Sequence, residues 1–145
     1  MNTNLKILLV EDNFEHLRLT KYILEQNKVP GELFVVRDGQ EAIDYLYRKN
    51  RFVDPSASPR PDLILLDFNI PRVDGKEVLK TIKADASLKD IPVVVVSSSS
   101  REEDMTYAHD AGASAYISKS LAFEDLSVAL GSIQKFAVTD KGAAK

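Results

Sequence analysis

Five side chains of this 145-residue chain could do chemistry together: Glu11, Asp12, Asp67, Ser97 and Lys119. Each ends or closely follows a short apolar run: Ile7–Val10, Leu63–Leu66, Val93–Val96 and Ala115–Ile117. Singly, each has an ordinary explanation. An acidic pair after a strand can simply cap the next helix, Asp67 can be a turn residue, Ser97 a strand-end hydroxyl and Lys119 a solvated amine. Together they mean more. If the first, third and fourth runs are neighbouring strands, three carboxylates and a hydroxyl converge on one small surface. Two like charges about 4 Å apart repel by about 4 kcal/mol at an effective dielectric near 20. Three carboxylates so placed need a cation. Hard oxygen donors without His or Cys, at an open mouth, favour Mg²⁺ over zinc. Such a site keeps waters and completes its shell with phosphate oxygens, for which Lys119 and Ser97 supply a charge and a donor. What remains is an aspartate able to act as a nucleophile and form an aspartyl phosphate.

The elements that must position these groups alternate regularly. Five apolar runs, the four above and Leu33–Val36, read as strands, and those central to the sheet are apolar throughout, as in strands buried on both faces. Between them lie stretches with helical spacing: Phe14, Leu17 and Leu24; Ala42, Ile43, Leu46 and Tyr47; Val78, Leu79 and Ile82; Met105, Ala108 and Ala111, stopped by Gly112. A last helix carries Phe123, Leu126, Leu130 and Ile133. Strand then helix, five times, predicts parallel βαβ units. Five strands are too few for an eight-stranded barrel. The expected architecture is an α/β, doubly wound, five-stranded parallel sheet of order 2-1-3-4-5, with its site beyond the carboxyl ends of the strands where the winding reverses. One domain is expected over 1–145, with a core of about 5–136, a Pro-containing surface loop over 50–61 and a polar tail over 137–145.

Composition excludes other classes. The net charge is −3, so no bulk attraction to nucleic acid or anionic lipid is expected. Without cysteine there is no disulfide framework, thiolate metal site or Cys nucleophile. The first apolar run is too short for a signal peptide core or a membrane span, which predicts a cytoplasmic protein.

At this point the residues resemble a family. Leu8-Leu9-Val10-Glu11-Asp12-Asn13, Asp38-Gly39-Gln40-Glu41-Ala42, Asp62-Leu63-Ile64-Leu65-Leu66-Asp67, Asn69-Ile70-Pro71, Asp74-Gly75, Ser97-Ser98 and Lys119 are together similar to the receiver domain of two-component response regulators, which is flavodoxin-like in fold. The resemblance implies a phosphorelay protein whose Asp67 accepts a phosphoryl group from the histidine of a sensor kinase. It implies direct Mg²⁺ ligation by Asp12, Asp67 and the backbone carbonyl of Asn69, with Glu11 acting through water. Ser97 and Lys119 would meet the phosphoryl oxygens, and Tyr116 would move inward when Ser97 moves. The chain would be no enzyme beyond its own phosphorylation and dephosphorylation, and would pair as a homodimer through the fourth helix, fifth strand and fifth helix. Ser120 stands where most receivers have proline. The bond before it is nonetheless expected to stay cis, although this costs about 2.5–4 kcal/mol for a non-proline residue. With the 50–61 loop and the Ser97–Ser100 run, Lys119-Ser120 looks like the single-domain regulators that partner phytochrome-type histidine kinases.

Other readings are weaker. His16 and His109 read as surface helix residues, and no Gly-rich phosphate loop is present. A flavodoxin-like electron carrier shares the fold, but Glu11-Asp12 would put negative charge where a flavin phosphate needs N–H groups. The competitor from another class is a receiver-like interaction module that is never phosphorylated, against which Asp12, Asp67 and Lys119 all speak.

Overall fold

The apolar runs form strands; the central ones bury both faces, while the edge run ending at Val36 stays largely half-buried or exposed. In the computed structural model, which describes residues 5–26, 31–97 and 101–118, they are β1 (Leu5–Val10), β2 (Gly31–Val36), β3 (Leu63–Leu66), β4 (Val93–Ser97) and β5 (Ala115–Ser118). All pair in parallel, in the order β2-β1-β3-β4-β5. Between them run α1 (Phe14–Gln26), α2 (Gly39–Leu46), α3 (Gly75–Ala84) and α4 (Glu102–Asp110). The expected last helix, Lys119, Ser120 with the bond between them, and the Ser98–Ser100 run lie outside the described residues. No described helix is long and apolar enough to cross a membrane.

Alternation along each strand divides the core in two. Leu8, Val10, Val36, Ile64, Leu66, Val93 and Val95 pack with Ala42, Tyr45, Val78, Leu79 and Ile82 of α2 and α3. Leu5, Ile7, Leu9, Leu63, Leu65, Val94 and Val96 form the opposite layer with Leu17 of α1. The connection from Asn50 to Pro61 is mostly exposed, yet Phe52, Ser58 and Pro61 are buried. It is held to α2 by the Tyr45 hydroxyl, which donates to Pro59 O at 2.8 Å, and by Asp44, which accepts from Gln40 and Asn50, each at 3.0 Å.

Two expected helix faces are corrected. Phe14 opens α1 and is 61% exposed, so the buried stripe of that helix includes Leu17 without Phe14; the side chain of Leu24 is not among those described. Met105 is 43% exposed, and the inward side of α4 is Asp104, Tyr107, Ala108 and Ala111. Ala108 and Ala111 face inward as expected, and Asp104 stands in place of Met105, its carboxylate 2.6 Å from Lys76 Nζ of α3. The Lys76 ammonium is correspondingly held above its ordinary pKa, first by that hydrogen bond. Gly112 does end this region in a left-handed conformation, with φ of 100°.

Both helices behind the site start in the same way. Asp38 and Asp74 cap α2 and α3, accepting from the N–H of Glu41 at 2.8 Å and of Glu77 at 3.0 Å. Such caps contribute about 1 kcal/mol. Asp74→Ala is therefore expected to lower stability by about that amount in urea unfolding, and Asp74→Ser to restore most of it. An unchanged midpoint for the alanine variant would show that the cap contributes nothing.

Candidate functional site: an acidic mouth at the strand ends

Parallel register sets the site. Val10 of β1 lies opposite Leu66 of β3, so the residues that follow them emerge side by side. The Asp67 N–H still donates to Val10 O at 3.2 Å, and that of Glu11 to Val36 O at 3.0 Å. Glu11, Asp12 and Asp67 each bring a carboxylate oxygen within 4.8 Å of the others. Glu11 is only 2% exposed and Asp67 5%, while Asp12 faces solvent. Two buried carboxylates beside a third carry a large desolvation and repulsion cost unless a cation offsets it. The donor set is all oxygen and partly open to water, which fits a hard divalent ion of the Mg²⁺ or Mn²⁺ kind.

The carboxylates are held by local backbone. Asn13 N–H donates to Glu11 Oε2 at 3.2 Å, and Asn69 N–H donates to Asp67 Oδ1 at 2.9 Å. Asn69 itself is exposed on the loop after β3. Asn13 Oδ1 in turn accepts from His16 N–H at 3.1 Å, starting α1. His16 lies on α1, as expected, and is half-buried, with Nδ1 3.9 Å from Glu11 Oε2, beyond hydrogen-bond length. His109 is exposed, as expected.

Ser97 ends β4, next to β3, and is fully buried. Tyr116 on β5 is partly buried and meets Phe68, the residue after Asp67, edge-on at 5.9 Å; Phe68 meets Tyr107 of α4 in the same way at 6.2 Å. An aromatic chain thus runs from the acidic mouth to α4 and β5. Lys119, expected to complete the site, lies outside the described residues.

Sequence reasoning gave no role to the groups that support the mouth from the β2 side, although Asp38-Gly39 is part of the motif that carries the resemblance. Arg37 Nη2 donates to the main-chain carbonyl of Asp12 at 3.0 Å. Asp38 accepts both arms of Arg72, Nε at 3.0 Å and Nη2 at 3.1 Å, and the Gly39 N–H donates to Pro71 O at 3.2 Å. Burial acts to raise the Asp38 carboxyl pKa, but the N–H of Glu41 and the hydrogen bond and charge of Arg72 outweigh it and hold the group below its ordinary value. The signal for Arg37 was present, since it directly follows the second strand run. The groups with recognisable chemistry, however, stand at the other four strand ends. Nothing local marks Arg72, whose partner lies 34 positions away.

Comparison with known proteins agrees with this geometry. The model of the response regulator receiver domain matches residues 7–131. The curated protein "Response regulator Rcp1" of Synechocystis sp. is 39% identical over 130 residues, covering 90% of this chain and 86% of that protein. A crystal structure of the phosphorylated cyanobacterial phytochrome response regulator RcpA superposes with a TM-score of 0.81 at 42% identity, over 94% of this chain and 96% of that one. The Mn²⁺-bound form of Rcp1 superposes with a TM-score of 0.79 at 39% identity, over 91% and 93%. With its sheet order, its buried carboxylates at adjacent strand ends and these matches, the chain belongs to the response regulator receiver domain family.

Proposed function

We propose that Asp67 is the phosphoacceptor of this response regulator and that the whole chain works as one receiver domain. The observation that carries the reading is a buried aspartate at the end of a central strand, sharing its mouth with two further carboxylates. Asp12 and Asp67, with the carbonyl of Asn69, would hold Mg²⁺ directly, and Glu11 would act through water. The metal supplies charge neutralisation at the mouth. An oxygen of Asp67 forms a bond to phosphorus while the P–N bond of a donor phosphohistidine breaks, and the imidazole nitrogen leaves with that electron pair. Ser97 and Lys119 would take the phosphoryl oxygens, and Tyr116 would follow Ser97 inward. The chain would catalyse its own phosphorylation and dephosphorylation and nothing else.

The similarity to a phytochrome response regulator supports a phytochrome-type histidine kinase as the donor. The chain would be cytoplasmic and would signal through a homodimer face of α4, β5 and the last helix expected from the sequence. The test is phosphotransfer from an autophosphorylated phytochrome-type kinase, using radiolabelled ATP, at graded Mg²⁺. Wild-type chain is expected to take the label, and a chelator to abolish transfer. Asp12→Asn, which neutralises a direct ligand, is expected to need at least about tenfold more Mg²⁺, since losing even an outer partner typically costs that much. Lys119→Ala is expected to bind metal as well or better, having lost a competing cation, yet to respond poorly to phosphorylation. Metal titrations in the opposite order would overturn these roles.

A further inference from the structure

The two loops expected to carry the metal ligands, β1–α1 with Asp12 and β3–α3 with Asn69, are tied to one three-residue segment, none of whose residues is an expected ligand. We propose that Arg37-Asp38-Gly39, at the junction of the edge strand β2 and α2, is a brace that positions both loops and thereby sets the affinity of the site for its divalent ion. The inference rests on the metal-site reading above.

Three contacts carry it. Arg37 reaches across from β2 to hold the Asp12 carbonyl, while its own N–H is fixed by Glu41 Oε1 at 2.8 Å. Asp38 grips Arg72 with both oxygens, and a paired two-point contact fixes direction as well as distance. Arg72 sits at φ 70°, a left-handed conformation that few non-glycine residues adopt, so its backbone needs such an anchor. The Gly39 N–H then holds Pro71 O, one residue earlier on the same loop. A Cβ on Gly39 would fall on Val73 O, so the loop and the start of α2 meet at backbone distance. The segment therefore sets where Asp12 and the Asn69–Val73 stretch stand relative to each other.

Charge alone predicts the opposite of bracing, which makes the proposal testable. Arg37 and Arg72 are cations beside a cation site, so removing either should tighten metal binding if electrostatics is their role. If they brace the loops, removal should weaken it, as losing outer partners of metal ligands does, by about tenfold. The experiment is Mn²⁺ titration, followed by the paramagnetic resonance of the free ion, on wild type, R37M, R72M, R37K and D12N. Both arginines are exposed, so the variants are expected to fold, and urea unfolding would verify it. Expected are about tenfold weaker Mn²⁺ binding in R37M and R72M and partial recovery in R37K, which can still donate one hydrogen bond to Asp12 O. Equal or tighter binding in R37M and R72M, with D12N clearly weakened, would overturn the brace. Unweakened binding in D12N would instead overturn the metal-site reading on which it rests.

Discussion

Asp67→Asn is expected to take no label from acetyl phosphate and Mg²⁺, while keeping the fold of the wild type. The substitution preserves shape: the Asn69 N–H that donates to Asp67 Oδ1 can donate equally to an amide oxygen. What it removes is the charge and the nucleophilic oxygen. In the proposed reaction an Asp67 oxygen would bond to phosphorus as the P–O bond of acetyl phosphate breaks and acetate leaves with the electron pair. A neutral amide is a poor nucleophile for that step. The same change relieves repulsion among three carboxylates packed within 4.8 Å, so the urea midpoint of the variant should equal or exceed that of wild type in the absence of metal. Labelling of the variant at the wild-type rate would mean the acceptor lies elsewhere. Failure of the wild type itself to label, with folded protein and several phosphodonors, would favour the interaction module that is never phosphorylated. The stability arm matters because a misfolded variant would also fail to label, and a raised midpoint excludes that explanation.

The parts of this molecule that were legible in its sequence are those where one residue's chemistry decides its place. Apolar runs such as Leu63–Leu66 and Val93–Val96 have nowhere to go but between two layers, and five of them with helical stretches between leave few topologies. Once the strands are placed, Glu11, Asp12 and Asp67 must meet, because parallel register aligns their strand ends. What was not legible depends on pairs. Asp104 occupies an inward position on α4, paired with Lys76 of another helix, while Met105 stands outside the face its hydrophobicity would predict. Phe14 looked like core from its spacing but stands at the first position of α1, where the helix has just left the sheet. Arg37 and Arg72 each act on a loop distant in sequence, through contacts that no periodicity encodes.

The second large effect is expected at Gly39. By helix propensity alone, Gly39→Ala should help, since alanine is better than glycine within a helix by about 1 kcal/mol. The structure predicts a clear loss instead. A Cβ at this position would stand 1.6 Å from the carbonyl oxygen of Val73 and 2.8 Å from its Cβ. The obstructing oxygen is backbone, so no change of rotamer clears it; either α2 or the β3–α3 loop must retreat. Retreat of the loop would stretch the Gly39 N–H bond to Pro71 O and pull Arg72 from Asp38. Overpacking of this kind typically costs about 1–3 kcal/mol and occasionally more. With the added loss of hydrogen bonds at about 1 kcal/mol each, the clash outweighs the propensity gain. Gly39→Ala is therefore expected to lower stability by about 2 kcal/mol or more in urea unfolding. It should also slow labelling by acetyl phosphate, because the loop that must give way carries Asn69. Gly75→Ala offers an internal comparison, since its Cβ would lie 2.5 Å from the Asp67 carbonyl oxygen, a less severe approach. Its stability loss should be smaller than that at Gly39. A raised midpoint for Gly39→Ala, as propensity alone would give, would show that the β3–α3 loop can move freely away from α2, and that its close seating there is not what holds the site.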